Sequence, residues 1–206
     1  METIKNKTCL TACILVLLFI FFSCSSRPEL KINYSLPPKT VELNGEKVYL
    51  SFNDARNTKD IIGKGARDIF KNFSGNISLS IEREHDEAGF KIGLFDIRSV
   101  FIESFTRKLE GLGMTVVSNK MESKNELMIS LNEFVLDLVD GKWVSSIDYE
   151  ARLILNGELR AKRMITSQAE RFKLVGQSQA NILMGEIFTD SLNSLDVDKL
   201  YKQVKK

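Results

Sequence analysis

The amino-acid sequence predicts an α+β fold: a mostly antiparallel sheet with two main amphipathic helices packed on one face. Between Leu127 and Thr166, three successive stretches alternate apolar and polar side chains, the signature of strands with one wet face. Two other stretches, one starting at Ile97 and one at Ala180, place apolar residues three and four positions apart instead, as helices lying across a sheet require. The composition is that of a globular body, with 43% apolar and 27% charged residues and a formal net charge of +2. So small an excess of cations makes no electrostatic case for nucleic acid as a partner.

Taken in chain order, the first element is a targeting segment. Lys5 and Lys7 precede an apolar run, Ile14 to Phe22, which ends in Ser23 and Cys24. A charged start, an apolar centre and a small residue before a cysteine form the pattern of a bacterial lipoprotein signal cut before the cysteine. The stretch from Leu10 to Phe22 falls short of the roughly 20 apolar residues a spanning helix needs, and Thr11 interrupts it. Cleavage is therefore expected, with Cys24 acylated as the new amino terminus and anchored by more chains than stable membrane residence requires. By resemblance to lipoprotein sorting, Ser25 and Ser26 after the cysteine, where Asp would favour inner-membrane retention, imply the outer membrane and its periplasmic side. Surface exposure is the alternative.

Cleavage removes 23 of 206 residues and leaves 183, enough for one domain with a substantial core. Cys9 and Cys13 leave with the signal and Cys24 becomes a thioether, so no free thiol remains for a disulfide, a CxxC redox pair or a thiolate zinc site. All three prolines, Pro28, Pro37 and Pro38, fall between Cys24 and Lys39, which predicts an extended tether. About 15–20 residues at roughly 3 Å each would hold the body some 50 Å from its lipid. The expected organisation is a signal over residues 1–23, a lipidated tether over 24–40 and a single α+β domain over 41–206.

Within that domain, Asn44-Gly45 suggests a hairpin turn, and Val48, Leu50 and Phe52 alternate with Tyr49, Ser51 and Asn53 as a half-buried strand running into Asp54-Ala55-Arg56. Ile69 and Phe70, then Ile77, Leu79 and Ile81, suggest two further short strands. A solvated loop over Glu82 to Gly89 follows. Asp96 is placed to cap a helix whose apolar stripe is Ile97, Val100, Phe101, Phe105, Leu109 and Leu112, with Gly111 and Gly113 ending it. Met114, Val116 and Val117 read as a short strand. In the meander that follows, Leu127, Ile129 and Leu131 are out of phase with Phe134, Leu136 and Leu138, which demands a bulge near Asn132 and Glu133.

The second strand of the meander points Ile147, Tyr149, Ala151, Leu153 and Leu155 inward. Asn156-Gly157 turns the chain into the third, with Leu159, Ala161 and Ile165 toward the core. The final helices carry Leu183, Ile187 and Leu195, then Val197, Leu200, Tyr201 and Val204, the last one capped by Ser194 or Asp196. Asp198 early and Lys202 late in it suit the helix dipole.

This layout, a lipidated Cys24, a proline-containing tether, a strand ending in Asp54-x-Arg56, a helix closed by Leu112-Gly113-Met114, a three-strand meander and a C-terminal amphipathic helix, resembles the YajG-like bacterial lipoproteins over roughly Val48 to Leu195. The resemblance implies a periplasm-facing lipoprotein with an α+β domain and no established catalytic residues. The architecture is also similar to auxiliary lipoproteins of envelope lipid-transport systems.

Few residues suggest chemistry. Asp54 and Arg56, on a loop after a strand, are either a ligand-binding pair or a side-chain bond that pins the turn, and the latter is favoured. Gly63-Lys64-Gly65 lacks both the upstream glycine and the following Ser or Thr of a phosphate loop, so a turn is expected. Gly176-Gln177-Ser178-Gln179-Ala180 approximates a nucleophile elbow, yet no histidine follows it, and Ser178 is better placed to cap the last long helix. His85 has Glu84, Asp86 and Glu87 beside it but no second histidine exists anywhere, so no metal site and no cofactor are expected. Trp143, at a hairpin tip, either folds back over the core or contacts a partner or lipid headgroups, with the first favoured.

The leading functional expectation is a non-enzymatic, lipid-anchored binding or assembly module with an envelope protein as partner. The alternative is an accessory lipoprotein of a lipid or lipopolysaccharide transport complex, which predicts a contiguous apolar groove between helix and sheet. A hydrolase acting through Asp54 or Glu84 ranks last, because no constellation of catalytic groups is legible.

Overall fold

The computed structural model describes residues 28–82, 90–174 and 176–204, and the fold is α+β. Eight strands form two sheets: β1 (Leu30–Ser35), β2 (Lys47–Asp54), β3 (Ile77–Glu82), β4 (Phe90–Phe95), β5 (Thr115–Val117), β6 (Asn125–Val139), β7 (Lys142–Leu155) and β8 (Glu158–Phe172). The larger sheet has the order β5-β2-β6-β7-β8 and the smaller β1-β3-β4. The long β6, β7 and β8 are antiparallel, whereas β2 runs parallel to both β5 and β6, and β1 parallel to β3. Among the described residues, three α-helices accompany the sheets: α1 (Ile97–Gly111), α2 (Ser178–Asn193) and α3 (Val197–Val204).

Local signals build most of these elements. The Asp96 carboxylate accepts from the Ser99 amide at 2.7 Å and caps α1, and the Asp196 carboxylate accepts from the Lys199 amide at 2.9 Å and caps α3. The register of β6 on β7 shifts between Leu131 and Glu133, the bulge that the phase change requires. Asn156 and Gly157 both adopt positive φ, 52° and 83°, as a tight hairpin between β7 and β8 demands.

The core lies between the sheets and the helices, and Phe101 of α1 sits near its centre. Its ring meets Phe188 of α2 at 5.4 Å, Phe52 of β2 at 5.5 Å, Phe134 of β6 at 6.0 Å and Tyr149 of β7 at 6.1 Å. Three of these contacts are edge-on, the geometry in which each aromatic pair adds about 0.5–1.5 kcal/mol beyond its burial. Lys108 on the same helix is buried, and its Nζ donates to the carbonyls of Leu192 and Leu195, both at 2.6 Å. It thereby closes the end of α2. Desolvation pulls its pKa down to about 8.

Several expectations give way. Leu30–Ser35, inside the stretch read as tether, is the strand β1, with Leu30, Ile32 and Tyr34 fully buried. The prolines flank this strand rather than interrupt it, so they leave its ladder intact. Ile69 and Phe70 lie in turns rather than a strand, because the segment before them docks on β6: Ile62 bridges Leu136 and the Gly63 amide donates to the Leu136 carbonyl. Strand β4 forms over Phe90–Phe95, between the expected loop and the Asp96 cap, where the sequence suggests no element. Asn44-Gly45 makes a turn ahead of β2 without joining two antiparallel strands, since both partners of β2 run parallel to it. Leu159 is exposed although its spacing pointed it inward, because the β7–β8 register shifts between Leu153 and Ile154. The residue capping α2 is Gln177, with no side-chain hydrogen bond; Ser178 is the first helical residue.

Candidate functional site

The pairing of β2 with β6 ends at Asp54 and Leu131, and the chain turns away there. The Asp54 carboxylate holds the turn. Its Oδ1 accepts from the Arg56 amide at 3.2 Å and from Nε at 2.9 Å, and its Oδ2 accepts from Nη2 at 3.0 Å. Lys59 adds an ammonium 3.1 Å from Oδ1 and donates to the Asp54 carbonyl at 2.9 Å. The two-point Arg–carboxylate bond dominates, and it holds the Asp54 pKa at about 2. The three hydrogen bonds from Arg56 to this carboxylate, two residues away, hold the turn in place.

Arg56 is itself buried, and its Nη1 has no hydrogen-bond partner among the described residues. The side chain lines an open cleft of about 750 Å³, walled by Lys59, Asp60, Arg67, Phe70 and Phe73 and reaching the start of α1 at Asp96 and Ile97. The charged rim is largely self-neutralised, with Arg67 and Asp60 paired at 2.9 Å. The walls of this cleft thus mix charged and aromatic side chains.

Gly63-Lys64-Gly65 resolves as the start of a single 3-10 turn, Lys64–Ala66. The amides of Gly65 and Ala66 donate to Asp137 Oδ1 at 2.8 and 3.1 Å, so a carboxylate of β6 already occupies the position an anion would take. A Cβ on Gly65 would lie 2.0 Å from the Leu138 carbonyl oxygen, which is why only glycine fits.

Trp143 is fully buried, edge-on to Phe70 at 6.0 Å, so the core takes it and the partner-contact reading of this residue is withdrawn. Its indole is covered by the same segment, residues 61–73, that docks on β6. Cys24 and the His85 cluster with Glu84, Asp86 and Glu87 lie outside the described residues. Among the described residues no group of three or more His, Cys, Asp and Glu side chains could hold a metal ion, and no helix is long and apolar enough to cross a membrane.

Besides β4, two features escaped sequence reasoning. One is β1, although Leu30, Ile32 and Tyr34 alternate with Lys31, Asn33 and Ser35 in a period of two. The other is a polar row on α2, Asn181, Gly185, Thr189 and Asn193, spaced by four and turned toward β1. The regular spacing of small and amide side chains opposite the apolar stripe was its only signal.

No family model matches the chain and no curated protein does. Among solved structures it superposes on a Xanthomonas campestris protein of the family DUF330 with a TM-score of 0.52 and 12% identity, over 84% of this chain and 94% of that one. That likeness is one of fold. Two further superpositions fall too low to support an argument: a Neisseria meningitidis lipoprotein at a TM-score of 0.30 and 12% identity, covering 73% of this chain and 99% of that one, and the PelC dodecamer of Paraburkholderia phytofirmans at 0.32 and 16%, covering 74% and 90%.

Proposed function

We propose that this protein is a lipid-anchored envelope lipoprotein, acting without catalysis as a binding or assembly module at the periplasmic face of the outer membrane. The observation that carries the reading is the run from Lys5 through Phe22 to Ser23-Cys24, which is too short to span and ends on an acylatable thiol. The layout resemblance to YajG-like lipoproteins supports it, and the fold likeness to a bacterial DUF330 protein accords with its α+β body. The clefts favour a protein partner over an acyl chain, because their walls mix charged and apolar groups. The cleft beside Arg56 is one example; another of about 500 Å³ between β1 and α2, lined by Lys31, Glu82, Glu186 and Asp190, is a second.

The test is direct. Cys24→Ala should abolish fatty-acid labelling and move the body from membrane to soluble fractions; unchanged membrane partition would overturn the anchor. Crosslinking in intact cells with the acylated protein should then recover a discrete envelope protein, and recovery of phospholipid alone in a stoichiometric complex would favour the transport reading.

A further inference from the structure

The start of β1 limits how far the domain can stand from its lipid. Only five residues separate Cys24 from Leu30, where the chain enters the sheet. Fully extended, that span reaches about 20 Å, less than half the reach expected of a tether running to residue 40. The point of entry is defined by contacts: the Glu29 carbonyl accepts from Gln177 Nε2 at 3.5 Å, and the Lys31 amide donates to Asn181 Oδ1 at 3.0 Å.

The surface at that end of the domain is apolar and exposed. Phe172 is 70% exposed, Leu174 65% and Val139 47%. They form one group: Val139 pairs with Lys142 and Lys142 with Phe172, and the Lys173 amide donates to the Gly141 carbonyl at 3.0 Å. Leu174 lies three residues before Gln177, whose side chain holds Glu29, so chain length and side-chain reach keep Leu174 within about 20 Å of the entry point. Cations flank it. Lys173, Lys64 and Lys71 are exposed, and Lys142 reaches over the Phe172 ring at 5.1 Å while pairing with Glu170; Asp68, Asp140, Glu170 and Glu186 are exposed acids nearby, the last paired with Arg171. Exposed aromatic and aliphatic side chains among lysines are the composition of surfaces that settle at the headgroup and acyl boundary.

We propose that the end of the domain bearing Val139, Phe172 and Leu174 rests on the lipid surface to which Cys24 is attached, so that the protein is docked against the bilayer and not raised on a stalk. The occupant of this patch is the membrane itself. The inference rests on the lipoprotein reading, because the short span matters only if Cys24 carries lipid. It leaves the opposite end, where Met121 and Leu159 are exposed, facing away from the bilayer. Both lie at that end, since the Asn156 amide donates to the Lys124 carbonyl.

The mature chain has no other free thiol, so single cysteines can carry a nitroxide. Full-length acylated L174C and, separately, L159C are reconstituted in vesicles of phosphatidylethanolamine and phosphatidylglycerol. Accessibility of each label to oxygen and to an aqueous nickel chelate is then compared. The expected result is a label at position 174 several-fold richer in oxygen contact than in nickel contact, about 5–10 Å below the headgroups, with the label at 159 showing the reverse. Vesicle-bound protein with both labels equally open to nickel overturns the docking and leaves the anchor standing. Protein that stays in the aqueous phase with an unacylated Cys24 overturns both.

Discussion

Strands β1 and β8 both end a sheet, and the molecule protects them by opposite means. The free edge of β1 is covered by α2, whose polar row supplies what a neighbouring strand would. Asn181 Oδ1 accepts from the Lys31 amide at 3.0 Å, Thr189 Oγ1 accepts from the Ser35 amide at 3.1 Å, and Asn193 Nδ2 donates to the Ser35 carbonyl at 3.0 Å. Gly185 lets the two backbones approach between these bonds. Strand β8 has no strand on its outer side among the described residues, and it is mostly exposed over 15 residues. Charge guards it: Arg160 pairs with Glu158 at 2.6 Å and Lys162 with Glu150 at 3.7 Å. A short, apolar edge strand needs a cover, whereas a long one studded with charge repels its own copies.

The sharpest way to break this contrast is Gly185→Val. A Cβ there already comes to 3.1 Å from the Asn33 carbonyl oxygen, and the added methyl groups must push α2 off β1. A loss of about 2–3 kcal/mol is expected from such overpacking, read as a lower urea midpoint. Asn181→Ala and Thr189→Val each leave one edge amide to water and should cost about 0.5–1.5 kcal/mol apiece. Hydrogen exchange should quicken at Lys31 and Ser35 and leave β8 unaffected.

On the open edge the same logic inverts. Lys162→Val with Arg160→Val should change stability by less than about 0.5 kcal/mol while producing concentration-dependent association in sedimentation velocity, because the repulsive side chains are gone. Variants that stay monomeric would show that charge is not what guards β8.

Acid offers the mildest test. The Arg152 hydrogen bond holds the Glu150 carboxyl below its ordinary range, with Lys162 contributing. Its support is thus complete above the unfolded value of about 4.3 and is lost as pH falls through the lower folded value. The amide and hydroxyl groups joining α2 to β1 do not titrate there. Lowering pH from about 6 to about 3 should speed intrinsic-rate-corrected exchange at β8 relative to β1; equal acceleration at both would show global loosening instead.

The legible parts of the fold share one property. Asp96 and Asp196 announce caps three residues ahead of the amides they bind, Asn156-Gly157 announces its hairpin, and the phase change after Leu131 announces a bulge. The Asp54–Arg56 pin was also legible, as a contact two residues apart. The misreadings came from distant effects. Three nearby prolines outweighed the alternation of Leu30, Ile32 and Tyr34, whose burial depends on β3 and α2. Trp143 was ambiguous because Phe70, which covers it, belongs to a segment whose docking on β6 has no local signal.

From its residues alone this chain determines its main helices, the caps of α1 and α3, its meander and turns, and hence its α+β class. Each of those depends on periodicity or on a hydrogen bond within a few residues. Tertiary structure alone decided that the sheet divides in two, that β2 pairs in parallel, and that α2 stands in for a strand beside β1. It also decided that Asp137 takes the amide of Gly65, 72 residues away. Such choices rest on which surfaces meet after the chain has closed its long loops, and no neighbour in sequence carries that information.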